Sequence, residues 1–308
     1  MDEKCDFNRR WMLGAMALAS TIPFSAMANG SQRNLARSSR LISYQNDAKA
    51  DPIVVEALLC GKGPLVVMLP SLGRGASDFE DLSTRIAASG FRTAAINPRG
   101  IGKSKGPAAQ SLADYARDVF EVIKALNASG EHPVMPVVLI GHAYGNRLAR
   151  AVASHYPQAV SSLILLASGG QVAIPPTVAK ALFDVFDISL SAEAHIDAVR
   201  TAFFAPGNDP DVWREGWYGS VALQQQNAIR NSPSGSWSDG GQASIYIIQA
   251  AHDVVAPPAN AEALRTVHPG RVEIAILENA GHAMLPEQPE GLARLVLGRL
   301  TSSGNRDQ

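Results

Sequence analysis

Cysteine is nearly absent. Cys5 and Cys60 are the two in 308 residues, and Cys5 precedes an apolar stretch with the character of a removable leader. One thiol would remain in the mature chain, which excludes an intramolecular disulfide framework. Net charge is missing too: 27 basic residues meet 28 acidic ones along the chain, for a formal charge of -1. No basic patch or acidic tail emerges, which argues against nucleic acid or acidic polymers as partners. Metal-ligand spacing is also lacking. Seven histidines are present, yet none stands in an H-x-x-x-H or Cys/His pattern, so no metal site is expected. Aromatics are sparse at 6%, and Trp213, Trp217 and Trp237 crowd into one segment.

The N-terminus carries an address. Arg9 and Arg10 precede an apolar run from Trp11 to Ile22, and Ala26-Met27-Ala28 follows as a small-residue cleavage site. The paired arginines resemble a twin-arginine export signal over 1–28, leaving mature protein from Asn29 in the periplasm or outside the cell. The alternative is an uncleaved membrane anchor, but the run is short for a span and is broken by Pro23 and several serines. No membrane association is expected once the leader is removed. Residues 29–50 are polar, with few bulky apolar side chains, and read as a flexible tether ahead of a domain over 51–303.

From Ile53 onward apolar runs alternate with amphipathic ones. "IVVEALLCG" and "PLVVMLP", separated by Gly61-Lys62-Gly63, read as a hairpin. Helix-like "DFEDLSTRIAAS", strand-like "FRTAAINP" and helix-like "SLADYARDVFEVIKAL" follow. "PVVLIGH", "SSLILLAS", "ASIYIIQA" and "RVEIAIL" are continuous apolar runs, as strands buried on both faces of a parallel sheet require. Helices are expected over 145–155, 260–267 and 286–300. Repeated β-α units imply an α/β fold with helices on both faces of a mostly parallel sheet. Residues 171–241 interrupt the rhythm with helix-like stretches and no strand-like run, too long for a structureless loop, and so predict an inserted helical cap. Its Trp213, Trp217 and Tyr218 either glue the cap to the body or roof a ligand pocket.

The chemistry centres on "VVLIGHAYGNRLAR", Val137 to Arg150. Its Gly141-His142-Ala143-Tyr144-Gly145 has the form of a nucleophile elbow, Gly-x-Ser-x-Gly, with Ala143 where the serine should stand. Asp253 follows one late apolar run in "IIQAAHDVVAPP", and His282 follows the last in "ILENAGHAMLP". In this order the parts resemble the α/β-hydrolase family over Ile53 to Leu300. That resemblance implies an elbow above the sheet, with Gly141 and Gly145 permitting strained backbone and close helix–strand approach. It also implies that Asp253 fixes the tautomer of His282, which acts as a general base. The amides of Tyr144 and of Leu72, in the loop after "VVMLP", would form an oxyanion hole. Arg74, in the same loop, would either reach the pocket or stay solvated. "NPRGIGKSKG" resembles the family's Asp-x-Arg-Gly-x-Gly-x-Ser loop, with Asn97 for the aspartate and Arg99 bracing the site. A phosphate loop is rejected there, because its first glycine would fall at Asn97.

Ala143 reads as native to the chain, since Gly-His-Ala-aromatic-Gly-Asn-Arg resembles a recurring bacterial variant of the family. A methyl group cannot attack a carbonyl. Ser71, Ser168, Tyr144 and Cys60 are the conceivable replacements, and none is well placed. The expected function is cofactor-free hydrolysis of a small or medium apolar ester or lactone by a water that His282 and Asp253 activate. Two alternatives stand beside it: proton abstraction leading to C–C cleavage or elimination, and small-molecule binding without chemistry.

Overall fold

A computed structural model describes residues 35–47, 51–128 and 135–304. The expected leader, 1–28, lies outside the described residues, as do the first residues of the expected tether. One eight-stranded sheet organises the described chain, in the order β1-β2-β4-β3-β5-β6-β7-β8. The strands are β1 Arg37–Tyr44, β2 Ile53–Gly61, β3 Leu65–Leu69, β4 Arg92–Ile96, β5 Val137–His142, β6 Val160–Leu166, β7 Ser244–Ala250 and β8 Val272–Leu277. β2 runs antiparallel to β1 and to β4, and every other pair is parallel.

Alternation along the strands divides the core. Val67, Leu69, Leu139, Leu163 and Ile247 face α2 (Leu112–Ala128), α3 (Tyr144–His155) and α7 (Ala259–Val267). Val66, Met68, Ile140, Ile164 and Ile248 face α1 (Glu80–Ala88) and α9 (Pro289–Gly304) on the other side. In α2 the buried Leu112, Val119, Val122, Ile123 and Leu126 recur at helical spacing, and each contributes roughly 1.5–3 kcal/mol by leaving water. Between β6 and β7 the chain makes three α-helices, α4 Pro176–Asp184, α5 Ala192–Phe203 and α6 Gly219–Arg230, two short 3-10 turns and no strand. The short α8, Met284–Glu287, precedes α9.

Two expectations need correction. Residues 37–44 are not a tether but an edge strand paired with β2 along its whole length, Arg37 opposite Cys60 to Tyr44 opposite Ile53. Its side chains are mostly solvated, with Ile42 alone buried, so the apolar alternation that announces a half-buried strand is missing. β2 and β3 do not form a hairpin either. β4 lies between them, because the crossover through α1 returns the chain into that slot. Strand order therefore reverses between β3 and β5, and the crevice beyond their carboxyl ends is where this architecture binds ligands.

Candidate active site

The loop after β3 and the turn after β5 meet at that crevice. Ala143 sits at the turn with φ 50° and ψ -106°, a left-handed backbone that a non-glycine residue holds at a cost of about 1–3 kcal/mol. Its N–H donates to the Leu166 carbonyl at 2.9 Å and its carbonyl accepts from Asn146 N at 3.1 Å. Asn146 Nδ2 in turn donates to the Ala167 carbonyl at 3.2 Å, tying the turn to the end of β6. Gly141 and Gly145 do not take positive φ; their role is close approach alone. A Cβ at Gly141 would lie 2.6 Å from Asn146 N, and one at Gly145 would lie 2.7 Å from the Leu69 carbonyl carbon.

His282 and Asp253 come together. Both are buried, and Nδ1 of His282 lies 2.9 Å from Oδ2 of Asp253. The other carboxylate oxygen accepts from Ala256 N at 2.6 Å and Val255 N at 2.9 Å. Burial alone would raise the Asp253 carboxyl, but His282 and these two amides outweigh it and hold the group below the usual carboxylate range. The carboxylate is thus ionised and aimed at Nδ1, which fixes the imidazole as the Nδ1–H tautomer with Nε2 free to act as a base.

His142 pins the same residue from behind. Its Nε2 lies 2.8 Å from the His282 carbonyl oxygen, so the ring donates there and is neutral, with Nδ1 unpartnered among the described residues. Burial, followed by the neighbouring His282, depresses His142 to about 3 from 6.5. An unfolded chain takes up this proton near pH 6.5 and the folded chain does not until about pH 3. Stability is therefore complete above the upper value and lost as pH falls, by up to ~1.4 kcal/mol per pH unit from this group. His142→Gln keeps a donor for the carbonyl and removes the titration. The urea midpoints of the two proteins should converge from neutral pH to about pH 4.5; parallel curves would contradict it.

A cavity of about 340 Å³ joins these parts. Ala143, Tyr144, Leu72, Ser71 and His282 form its floor, while the cap contributes Leu182, Phe183, Phe186 and Phe203. The N–H groups of Leu72 and Tyr144 have no backbone or side-chain acceptor among the described residues, so both can donate to an oxygen bound in the cavity. Among the described residues no cluster suited to a metal ion occurs, and no helix is long and apolar enough to cross a membrane.

The expected aromatic roof is corrected. Trp213, Trp217 and Tyr218 do not line this cavity. Trp213 and Trp217, packed edge-to-face with each other, instead both contact the Arg74 guanidinium, 4.2 and 4.5 Å from their ring centroids, and Tyr218 is 41% exposed. Arg74 is neither solvated nor in the pocket: it is buried in a two-bonded ion pair with Asp78 at 2.6 and 2.7 Å. The tryptophans are glue, and cation–π contact with a desolvated arginine is what holds it. Arg99 braces its loop as expected, through Asp118 at 2.8 and 2.9 Å.

Of the substitute nucleophiles, Ser71 reaches the cavity, but Ser168 and Cys60 do not. Burial pushes the Tyr144 phenol well above its ordinary value, the opposite of what attack requires. Three buried amides that sequence reasoning missed hold the walls in place. Gln225 Oε1 accepts from Gly73 N at 2.8 Å and fixes the loop bearing Leu72 to α6. Gln249 accepts from Ser168 N at 3.1 Å and donates to the Ala256 carbonyl. Asn260 Oδ1 accepts from Gln171 N and Val172 N at 2.7 and 2.9 Å. Isolated amides in apolar or polar context leave no sequence signature.

Sheet order, elbow and a histidine–carboxylate pair after the last two strands are those of the α/β-hydrolase fold, and the chain adopts that fold. The family model described as serine aminopeptidase, S33, matches residues 63–193. By sequence the chain is similar to a 2-(acetamidomethylene)succinate hydrolase of Mesorhizobium japonicum, 33% identical over 34% of this chain and 36% of that protein. A monoacylglycerol lipase of Mycolicibacterium smegmatis is 26% identical over 33% of this chain and 36% of its own. Such curated matches span only 31% to 45% of the relatives' lengths. By structure it is similar to a thermophilic esterase from Thermogutta terrifontis, with a TM-score of 0.67, 18% identity and coverage of 85% of this chain and 98% of that one. These likenesses establish the fold.

Proposed function

We propose that this chain is a cofactor-independent hydrolase that cleaves a small or medium ester- or lactone-like substrate with a water molecule activated by His282 and Asp253. One observation carries the reading: the oriented His282–Asp253 pair opens onto an apolar cavity whose floor has a methyl group, Ala143, where an attacking hydroxyl would stand. The room that hydroxyl would fill is room for a water. Nε2 of His282 removes the water's proton while its oxygen attacks the carbonyl carbon. The carbonyl π electrons move to oxygen, where the Leu72 and Tyr144 amides stabilise the charge; such donors are each worth roughly 10²–10³ in kcat. Asp253 stabilises the imidazolium formed. Collapse breaks the carbon–oxygen bond, and Nε2 returns its proton to the leaving alkoxide, releasing acid and alcohol. No covalent adduct forms at any step. The hydrolase, esterase and lipase names of the similar proteins support hydrolysis as the reaction class.

The test uses a p-nitrophenyl hexanoate assay on the protein and on Ala143→Ser. The unaltered protein should turn over without a burst and resist a serine-directed fluorophosphonate. Ala143→Ser should show a burst and be labelled at residue 143. No ester turnover by the unaltered protein, beside efficient turnover by Ala143→Ser, would mean that hydrolysis is not its work. Cleavage of a β-diketone without ester hydrolysis would move the chemistry to proton abstraction.

A further inference from the structure

Arg147 is unexplained by the reaction alone. It lies four residues beyond Ala143 on α3, a rise of about 6 Å along the same helix face, and it lines the same cavity. Among the described residues its guanidinium has no hydrogen-bond acceptor and no carboxylate partner, whereas the buried Arg74, Arg99 and Arg150 elsewhere in the fold are all bonded. Its surroundings are a Trp237 ring at 5.9 Å and Gly170, where a Cβ would lie 3.0 Å from Nη2. Burial lowers its basicity, with no carboxylate to offset the loss. Gln226 lines the cavity as well, and its side-chain amide also has no partner among the described residues.

A half-buried cation with no protein counter-charge beside an apolar cavity loses part of its hydration and gains from an anion that pairs with it. Arginine's planar fork and a primary amide are the donors that match a carboxylate, because both present N–H groups in the plane of its two oxygens. We propose that the substrate of this cavity carries a carboxylate, which Arg147 binds with Gln226 as a second donor, set a few bonds from the carbonyl that lies over Ala143. The apolar cap residues Leu182, Phe186 and Phe203 then take the chain between the two groups. This inference rests on the cavity being the substrate site of the proposed hydrolysis, and it makes the preferred substrate an amphiphilic carboxylate-bearing ester or lactone rather than a neutral one.

Calorimetric binding of hexanoate and of its uncharged counterpart hexanamide tests it without any turnover. The protein should bind hexanoate at least about tenfold more tightly, a difference of ~1.4 kcal/mol. Arg147→Met should erase that preference, and Arg147→Lys should retain part of it. Removing an uncompensated cation should leave the Arg147→Met melting temperature equal or higher, so loss of binding is not loss of fold. Equal hexanoate affinity in the protein and Arg147→Met would overturn the proposal and put the carboxylate on the Leu72 and Tyr144 amides. No preference for hexanoate over hexanamide in the protein would overturn it also. Failure of the hydrolytic reading looks different: esters are not turned over, while the Arg147-dependent preference persists.

Discussion

Asp253→Asn should lower kcat for the proposed ester hydrolysis by about 10³–10⁴-fold with little change in KM. The reason is proton placement. The introduced amide would keep an oxygen for the N–H groups of Val255 and Ala256, which Asp253 Oδ1 now bonds at 2.9 and 2.6 Å. It would then turn its NH₂ group toward Nδ1 of His282. Facing a donor, Nδ1 must become the acceptor, and the ring proton moves to Nε2. The nitrogen that should take a proton from water already carries one. Packing barely changes, because carboxylate and amide are nearly isosteric and the site stays buried. His282→Ala should be at least as damaging, and the double variant no worse than His282→Ala, since the two residues act as one unit. Steady-state kinetics with circular dichroism as a fold control checks this. A fall of less than about tenfold would show that the pair is structural and that the base lies elsewhere.

What can be read from the sequence is whatever burial imposes as a repeating pattern. Strands β5, β6 and β7 are covered by helices on both faces, so they must be continuously apolar, and they stand out. The elbow glycines are legible because backbone crowding leaves no other residue type, and Asp253 and His282 because their place after the last two strands resembles the family order; the structure brings these two within 2.9 Å. β1 is not, because an edge strand is held by main-chain bonds that any polar sequence supplies, and only Ile42 of its eight residues is buried. The β2–β3 hairpin fails for a related reason: local turn residues say that the chain reverses, not which strand later fills the gap. The tryptophans mislead because composition does not tell which face of a cap they serve. Their partner, Arg74, is distant in sequence, and a lone arginine in a loop reads as solvated or pocket-facing. Arg147 carries no signal either, since an unpaired cation is recognised only by what its surroundings lack.

The second large effect concerns the crossing that holds the elbow up. Gly145→Ala should destabilise the protein by at least ~3 kcal/mol and lower turnover together with stability. A Cβ there would fall onto the Leu69 carbonyl and lie 2.8 Å from the Pro70 oxygen. These are backbone atoms of β3 and its exit, so no rotamer change relieves the clash. Gly141 adds to the constraint, since its own missing Cβ faces Asn146 N at 2.6 Å. β5, α3 and the end of β3 are therefore stacked with no side chain between them, and relief requires α3 to lift. Lifting α3 carries the Tyr144 amide away from the Leu72 loop, and a shift of about 1 Å in a catalytic group can cost on the order of 10²-fold. Gly298→Ala is the control. It lies within α9 with nothing inside 4 Å of the added atom, so it should stabilise by about 0.5–1 kcal/mol through helix propensity alone. Urea denaturation of both variants separates the effects. If Gly145→Ala matched Gly298→Ala in sign, close backbone approach would not be what positions the elbow, and the oxyanion donors would owe their place to the cap side, through Gln225 and α6.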